Sequence, residues 1–181
     1  MIRYAGPLML AVSLLAPSIV LSQSNTMMQV KRGEYIVSTS GCHDCHTPFV
    51  LGPNGPEPDM KRALSGHPQD FPIKAQALLS EPWMVAFAST MTAASGPWGV
   101  SFAANLTPDP ETSILRDFTE EQFIQTLRTG RHQGQGRPIL PPMPWPVYGQ
   151  MTDDDLKAVF AYLRQLPAIK NKVPDPIPPA K

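Results

Sequence analysis

The sequence predicts an all-α fold, and three observations carry that expectation. Two segments open with the same helix-start chemistry, Phe118-Thr119-Glu120-Glu121-Gln122-Phe123 and Met151-Thr152-Asp153-Asp154-Asp155-Leu156. A third, over residues 29–40, places Val30, Gly33, Val37 and Ser40 at helical spacing ahead of Gly41. Between Pro48 and Pro97 the chain is dense in Pro, Gly and Ser and has no sustained periodicity, so it reads as a long loop-rich insertion.

Taken in order, residues 1–22 read as an export leader. Arg3 supplies the positive start, Pro7 to Leu21 an apolar stretch, and Ser22, Gln23 and Ser24 the small and polar exit, with cleavage expected after Ser22. The apolar stretch is broken by Pro17 and falls short of the roughly 20 residues of a membrane span. No stable span is therefore expected once the leader is cut, a retained anchor being the alternative. Residues 23–173 form one domain, within reach of a single core, and residues 174–181 a Pro-rich extended tail.

The first helix runs to Ser40 and stops at Gly41. Gly33 inside it costs about 1 kcal/mol relative to Ala, which a close helix crossing would repay, since a bare Cα lets two backbones approach. In the second helix Thr119 caps the free N–H groups of the first turn and Gln122 completes a capping box; in the third Thr152 caps and Asp155 makes a weaker return. Acidic first turns suit the helix dipole, and Phe118 with Phe123, like Met151 with Leu156, sit at staple spacing. The second helix ends at Thr129 before Gly130. The third buries Leu156, Val159, Phe160, Leu163 and Leu166 on one face and ends at Pro167. Within the insertion, Trp83, Val85 and Phe87 alternate, as do Val100, Phe102, Ala104 and Leu106, which predicts one small β-hairpin.

Composition narrows function. With 15 basic and 15 acidic residues the chain has no field to hold nucleic acid, and losing Arg3 with the leader leaves 14 basic residues, a net charge near minus one. The 22 prolines mean that much of the chain is loop.

Gly41-Cys42-His43-Asp44-Cys45-His46 contains Cys-x-x-Cys-His, the attachment sequence for c-type haem. Two thiols one helical turn apart add to the two vinyl groups of the haem, and the following imidazole reaches the iron. A thioredoxin-like dithiol lacks its βαβ surroundings here, a zinc site lacks a second cysteine pair, and a plain disulfide leaves His46 unexplained. One covalent haem c is therefore predicted, held by Cys42 and Cys45 with His46 as an iron ligand.

The second axial ligand must come from elsewhere. Met1 and Met9 lie in the leader, Met27 and Met28 precede the first helix, and Met151 is the staple residue. Met60, Met84 and Met91 lie in the loop-rich region, where a Met more often fills a gap. Met143 sits in Arg137-Pro138-Ile139-Leu140-Pro141-Pro142-Met143-Pro144-Trp145-Pro146, where prolines stiffen the presenting loop, and it is the favoured ligand. His67 and His132 are rivals: His132 also reads as a charge at a helix C-terminus. His43, within the attachment turn, should face solvent. Trp145 and Arg137 are candidates for the haem propionates, with surface roles as the alternative.

These residues resemble class I cytochromes c, in which an N-terminal helix leads into the haem motif and crosses a C-terminal helix; Gly33 with Val37 and Phe160 with Tyr162 look like the two sides of such a crossing. More narrowly, Asn105-Leu106-Thr107-Pro108-Asp109, Leu127-Arg128-Thr129-Gly130-Arg131, Met143-Pro144-Trp145 and Ala161-Tyr162-Leu163-Arg164 resemble bacterial cytochromes and cytochrome subunits of periplasmic alcohol-type dehydrogenases. The resemblance implies a cytochrome c-like all-α fold and a periplasmic location. It also implies Met143 as sixth ligand and one-electron transfer from a dehydrogenase to an acceptor such as a terminal oxidase or another cytochrome. No substrate chemistry of the chain's own is expected.

Overall fold

The computed structural model describes residues 16–77 and 79–179. The expected leader lies outside that range up to residue 15, as do residues 180–181 of the expected tail. The described helices are α1 (Ala16–Thr39), α2 (Cys42–His46), α3 (Glu120–Thr129), α4 (Trp145–Tyr148) and α5 (Asp153–Leu163). The strands are β1 (Phe49–Gly52), β2 (Gly55–Pro58), β3 (Ala86–Phe87), β4 (Ala93–Gly96) and β5 (Gly99–Phe102).

The all-α expectation is corrected by this arrangement, because the insertion between α2 and α3 folds into two antiparallel sheets, β1-β2 and β3-β4-β5. Strands of two to four residues are too short for a period of two to register in sequence. The expected hairpin is re-paired as well: Ala86 and Phe87 lie opposite Ser95 and Ala94, and β5 pairs with β4 rather than with β3. β4 is Ala-Ala-Ser-Gly and buried along its whole length, so it carries no inside-outside alternation. Gly96 is bare because a Cβ there would lie 2.6 Å from the Trp98 ring.

The helical part follows its local signals. Thr119 Oγ1 accepts from the Gln122 N–H and the Gln122 side chain accepts from the Thr119 N–H, closing the capping box, and Gly130 ends α3 in the left-handed region at φ 65. Thr152 Oγ1 accepts from the Asp155 N–H. Helix α1 extends back past residue 29 as far as Ala16, where the described residues start. Among the described residues no helix is long and apolar enough to cross a membrane.

The core joins Ile36 and Val37 of α1, Phe123, Ile124 and Leu127 of α3, and Leu156, Val159, Phe160 and Leu163 of α5, together with Leu64 and Leu115. Phe123 and Phe160 stack at 5.3 Å between ring centroids. α1 crosses α5 at Gly33, where a Cβ would lie 2.0 Å from the Ala158 carbonyl oxygen. The described part of the tail is pinned: Ile177 exchanges both main-chain hydrogen bonds with Val100, at 2.8 and 3.0 Å. Gly99, at φ 93, leaves room for that contact, since a Cβ would lie 2.0 Å from the Ile177 oxygen.

Candidate functional site

The helical core and the segment from β4 to Leu106 enclose a cavity of about 1010 Å³, at the top of the roughly 300–1,000 Å³ of small-molecule and cofactor sites. Cys42, Cys45, His46 and Met143 all line it. Apolar side chains dominate the rest of the wall, among them Val37, Phe102, Leu115, Leu127, Ile139 and Leu156.

Gly41 places the attachment turn. At φ 74 it breaks the path from α1 and starts α2, a single turn that carries both cysteines and His46. Both thiols are free. Burial pushes Cys42 up to about 11, with the Asp44 carboxylate adding to it, and burial raises Cys45 in the same sense. The pair is therefore held as thiols, the reverse of the lowered thiolate pKa that a redox-active dithiol needs.

His46 Nδ1–H donates to the Ala104 carbonyl at 2.8 Å. That bond fixes the tautomer and leaves Nε2 as the lone-pair nitrogen, the usual way a protein orients a metal-binding imidazole. Burial lowers the His46 pKa, opposed by the Ala104 bond, so the ring is kept neutral. The Gly66 N–H donates to the His46 carbonyl at 2.8 Å and the His67 N–H to the Ala103 carbonyl at 2.9 Å, tying the two segments together. Nothing in the sequence marks Ala104 for this role: the acceptor is main-chain and lies 58 residues from His46.

Met143 enters from a loop whose ends are fixed. The Ile139 N–H donates to the Gly130 carbonyl at 2.8 Å, Arg131 pairs with Pro138, and Val147 N–H returns to the Pro144 carbonyl at 3.0 Å. Met91 and Met151 also line the cavity, whereas Met60 and Met84 are 62% and 67% exposed. Tyr148, another wall residue, donates its hydroxyl to the Ser40 carbonyl at 2.6 Å, and burial pushes its pKa up to about 12.

The remaining histidines divide. His67 is fully buried away from the cavity wall with both nitrogens engaged: Nε2 donates to the Phe71 carbonyl at 2.8 Å and Nδ1 accepts from the Thr92 hydroxyl at 2.9 Å. His132 lines the cavity. His43, expected to face solvent, is half-buried, its Nδ1 sharing a hydrogen bond with the Thr47 hydroxyl at 2.8 Å, and that oxygen accepts from the Leu64 N–H. Arg137 is exposed and lines the cavity. Trp145 is not among the wall residues; its indole packs on Gly130, where a Cβ would lie 2.3 Å from the ring.

The residues fit a c-type haem: two protonated thiols and a pre-oriented neutral imidazole face one apolar cavity. No protein-family model matches the chain. It is 30% identical over 149 residues to the cytochrome c subunit of the quinone alcohol dehydrogenase of Gluconobacter oxydans (strain 621H), covering 81% of this chain and 24% of that protein. It is 29% identical over 133 residues to the gluconate 2-dehydrogenase cytochrome c subunit of Pantoea cypripedii, covering 74% and 22%. It is 33% identical over 78 residues to the fructose dehydrogenase cytochrome subunit of Gluconobacter japonicus, covering 40% and 16%. The chain thus spans a quarter or less of the length of these relatives.

Proposed function

We propose that this chain, which belongs to the c-type cytochromes related to the cytochrome subunits of alcohol, gluconate and fructose dehydrogenases, carries one haem c and moves single electrons. In this reading the haem is bound covalently through Cys42 and Cys45. The donor is an exported dehydrogenase and the acceptor a terminal oxidase or another cytochrome, all in the periplasm. The supporting observation is the convergence of both thiols, the His46 imidazole and the Met143 thioether on one apolar cavity.

A haem held there supplies a one-electron iron couple whose potential follows its axial ligands and surroundings. His46 offers Nε2 while its Nδ1–H, bound to Ala104, increases ligand basicity and stops the ring from turning. Met143 offers a neutral sulfur, which favours a higher potential than a second imidazole would. Most of the wall is apolar, and Arg137 puts a cation within the same wall. An iron held by both His46 and Met143 would have no open position, so the chain would act as a carrier or electron-transfer subunit and perform no substrate chemistry.

The purified holoprotein tests each part. Acid-acetone extraction should leave the colour with the protein, and extraction of the colour would end the thioether assignment. Met143→Ala should abolish the weak near-infrared sulfur-to-iron band of the oxidised protein and admit carbon monoxide to the reduced one; a band that survives in Met143→Ala but is lost in Met91→Ala or Met151→Ala would move the ligand. Stopped-flow mixing with a quinoprotein dehydrogenase and its substrate should reduce the haem. Rapid peroxide turnover without such reduction would overturn the carrier role.

A further inference from the structure

We infer that the segment formed by β5 and its continuation to Ala104 positions the second axial ligand as well as the first, with Ser101 as the positioning residue for Met143; this rests on the reading of Met143 as an iron ligand. Ser101 lies in β5 and is 9% exposed. Its hydroxyl donates to the Pro141 carbonyl at 2.6 Å, across 40 residues of chain, and accepts from the Trp98 indole N–H at 3.3 Å. The Ala94 carbonyl is a more distant acceptor at 3.4 Å, so the single hydroxyl proton goes to Pro141.

Proline has no N–H, so Pro141-Pro142-Met143-Pro144 has a single main-chain donor, at Met143, with which to anchor itself. Among the described residues, the Ser101 to Pro141 bond is the one hydrogen bond that ties residues 140–143 to the rest of the chain. The loop ends are fixed at Ile139 and Pro144, and Ser101 grips the middle, two residues before Met143. Three residues further along the same chain direction, the Ala104 carbonyl holds His46. One strand and its continuation therefore tether both segments that carry the axial ligands.

A thioether is a weak neutral ligand, so its hold on iron depends on how little conformational freedom its loop must give up. Removing the Ser101 hydroxyl frees the loop without touching iron, sulfur or the attachment turn. Ser101→Ala should raise the population of the Met-dissociated state between about two- and tenfold, the range set by one lost neutral hydrogen bond. The readouts are the rate of carbon monoxide binding to the reduced holoprotein and the temperature at which the near-infrared band of the oxidised one fades. Ser101→Thr, which keeps the hydroxyl, should restore both.

Met143→Ala run in parallel separates the two levels. If it leaves the band intact, the ligand reading falls and this inference with it. If it abolishes the band while Ser101→Ala binds carbon monoxide at the parental rate, the ligand stands and the positioning role is overturned. Equal acceleration in Ser101→Ala and Ser101→Thr would also overturn it, since packing and not the hydroxyl would then be responsible. Ser101→Cys, which keeps the size of the side chain but replaces the hydroxyl with a much weaker donor, is the second variant should Ser101→Ala fail to fold, and a parental rate in it would count against the proposal.

Discussion

His67 has a sealed environment. Its Nδ1 accepts from Thr92, whose oxygen lies 2.8 Å from the Thr90 hydroxyl, and its ring packs 4.8 Å from the Phe102 ring. Burial lowers its pKa, opposed by the Phe71 carbonyl and by the Asp70 carboxylate, the charged group acting on it. The sign follows from linkage. Above the unfolded value of about 6.5 both states are neutral and His67 adds no pH dependence; as pH falls below it the unfolded chain takes the proton first, and stability declines until the folded pKa is passed. The melting temperature should therefore drop between pH 7 and 5, and His67→Gln should flatten that slope while lowering the whole curve. An unchanged slope would place the acid sensitivity on His43 or His132, whose pKa values burial also lowers. At this scale the site was half legible. Cys42, Cys45 and His46 fall within five residues, so the motif they make is written in one turn of sequence, whereas Ala104 and Ser101 act from another part of the chain, through a carbonyl and a hydroxyl that carry no motif.

Helix crossings are decided by what the closest residues lack. At the α1–α5 contact the exposed Arg32–Asp155 pair, at 2.8 Å, adds little, because Arg32 is half in solvent and screened. Gly33 matters more, since any Cβ there meets the backbone oxygen of Ala158, which cannot swing aside as a side chain would. Gly33→Leu should cost about 1–3 kcal/mol or more, or roughly 2–4 °C of melting temperature per kcal/mol for a chain of this size. Calorimetry of the variant beside Arg32→Ala should find the glycine change much the larger; comparable values would mean that the crossing relaxes freely. The same comparison explains which elements could be read in advance. Helices α3 and α5 announce themselves because Thr119, Gln122 and Thr152 bond within their own first turns. The strand β4 does not, because Ala93-Ala94-Ser95-Gly96 becomes a strand through neighbours supplied by β3, β5 and the Trp98 ring.

At the scale of the whole molecule the two kinds of structure have separate duties. Helices α1, α3 and α5 line the cavity and supply much of the core, while β5 and the chain to Leu106 line it as well and carry the bonds from Ala104 to His46 and from Ser101 to Pro141. In the three-stranded sheet β5 is an edge strand, paired with β4 on one side only, so its outer main-chain groups need a partner from elsewhere. Bare strand edges template the addition of foreign strands and so limit solubility. Here the Pro-rich end of the chain occupies the Val100 donor and acceptor through Ile177, and the neighbouring prolines 176, 178 and 179 offer no N–H with which a further strand could pair. The tail thus works as a selvage, finishing the fabric so that it neither frays nor knits to another piece. A chain stopped after Val173 keeps every core residue from Ile36 to Leu163 and should remain folded, yet light scattering should detect association that rises with concentration. A truncated protein that stays monomeric throughout would assign its solubility to other features of the surface.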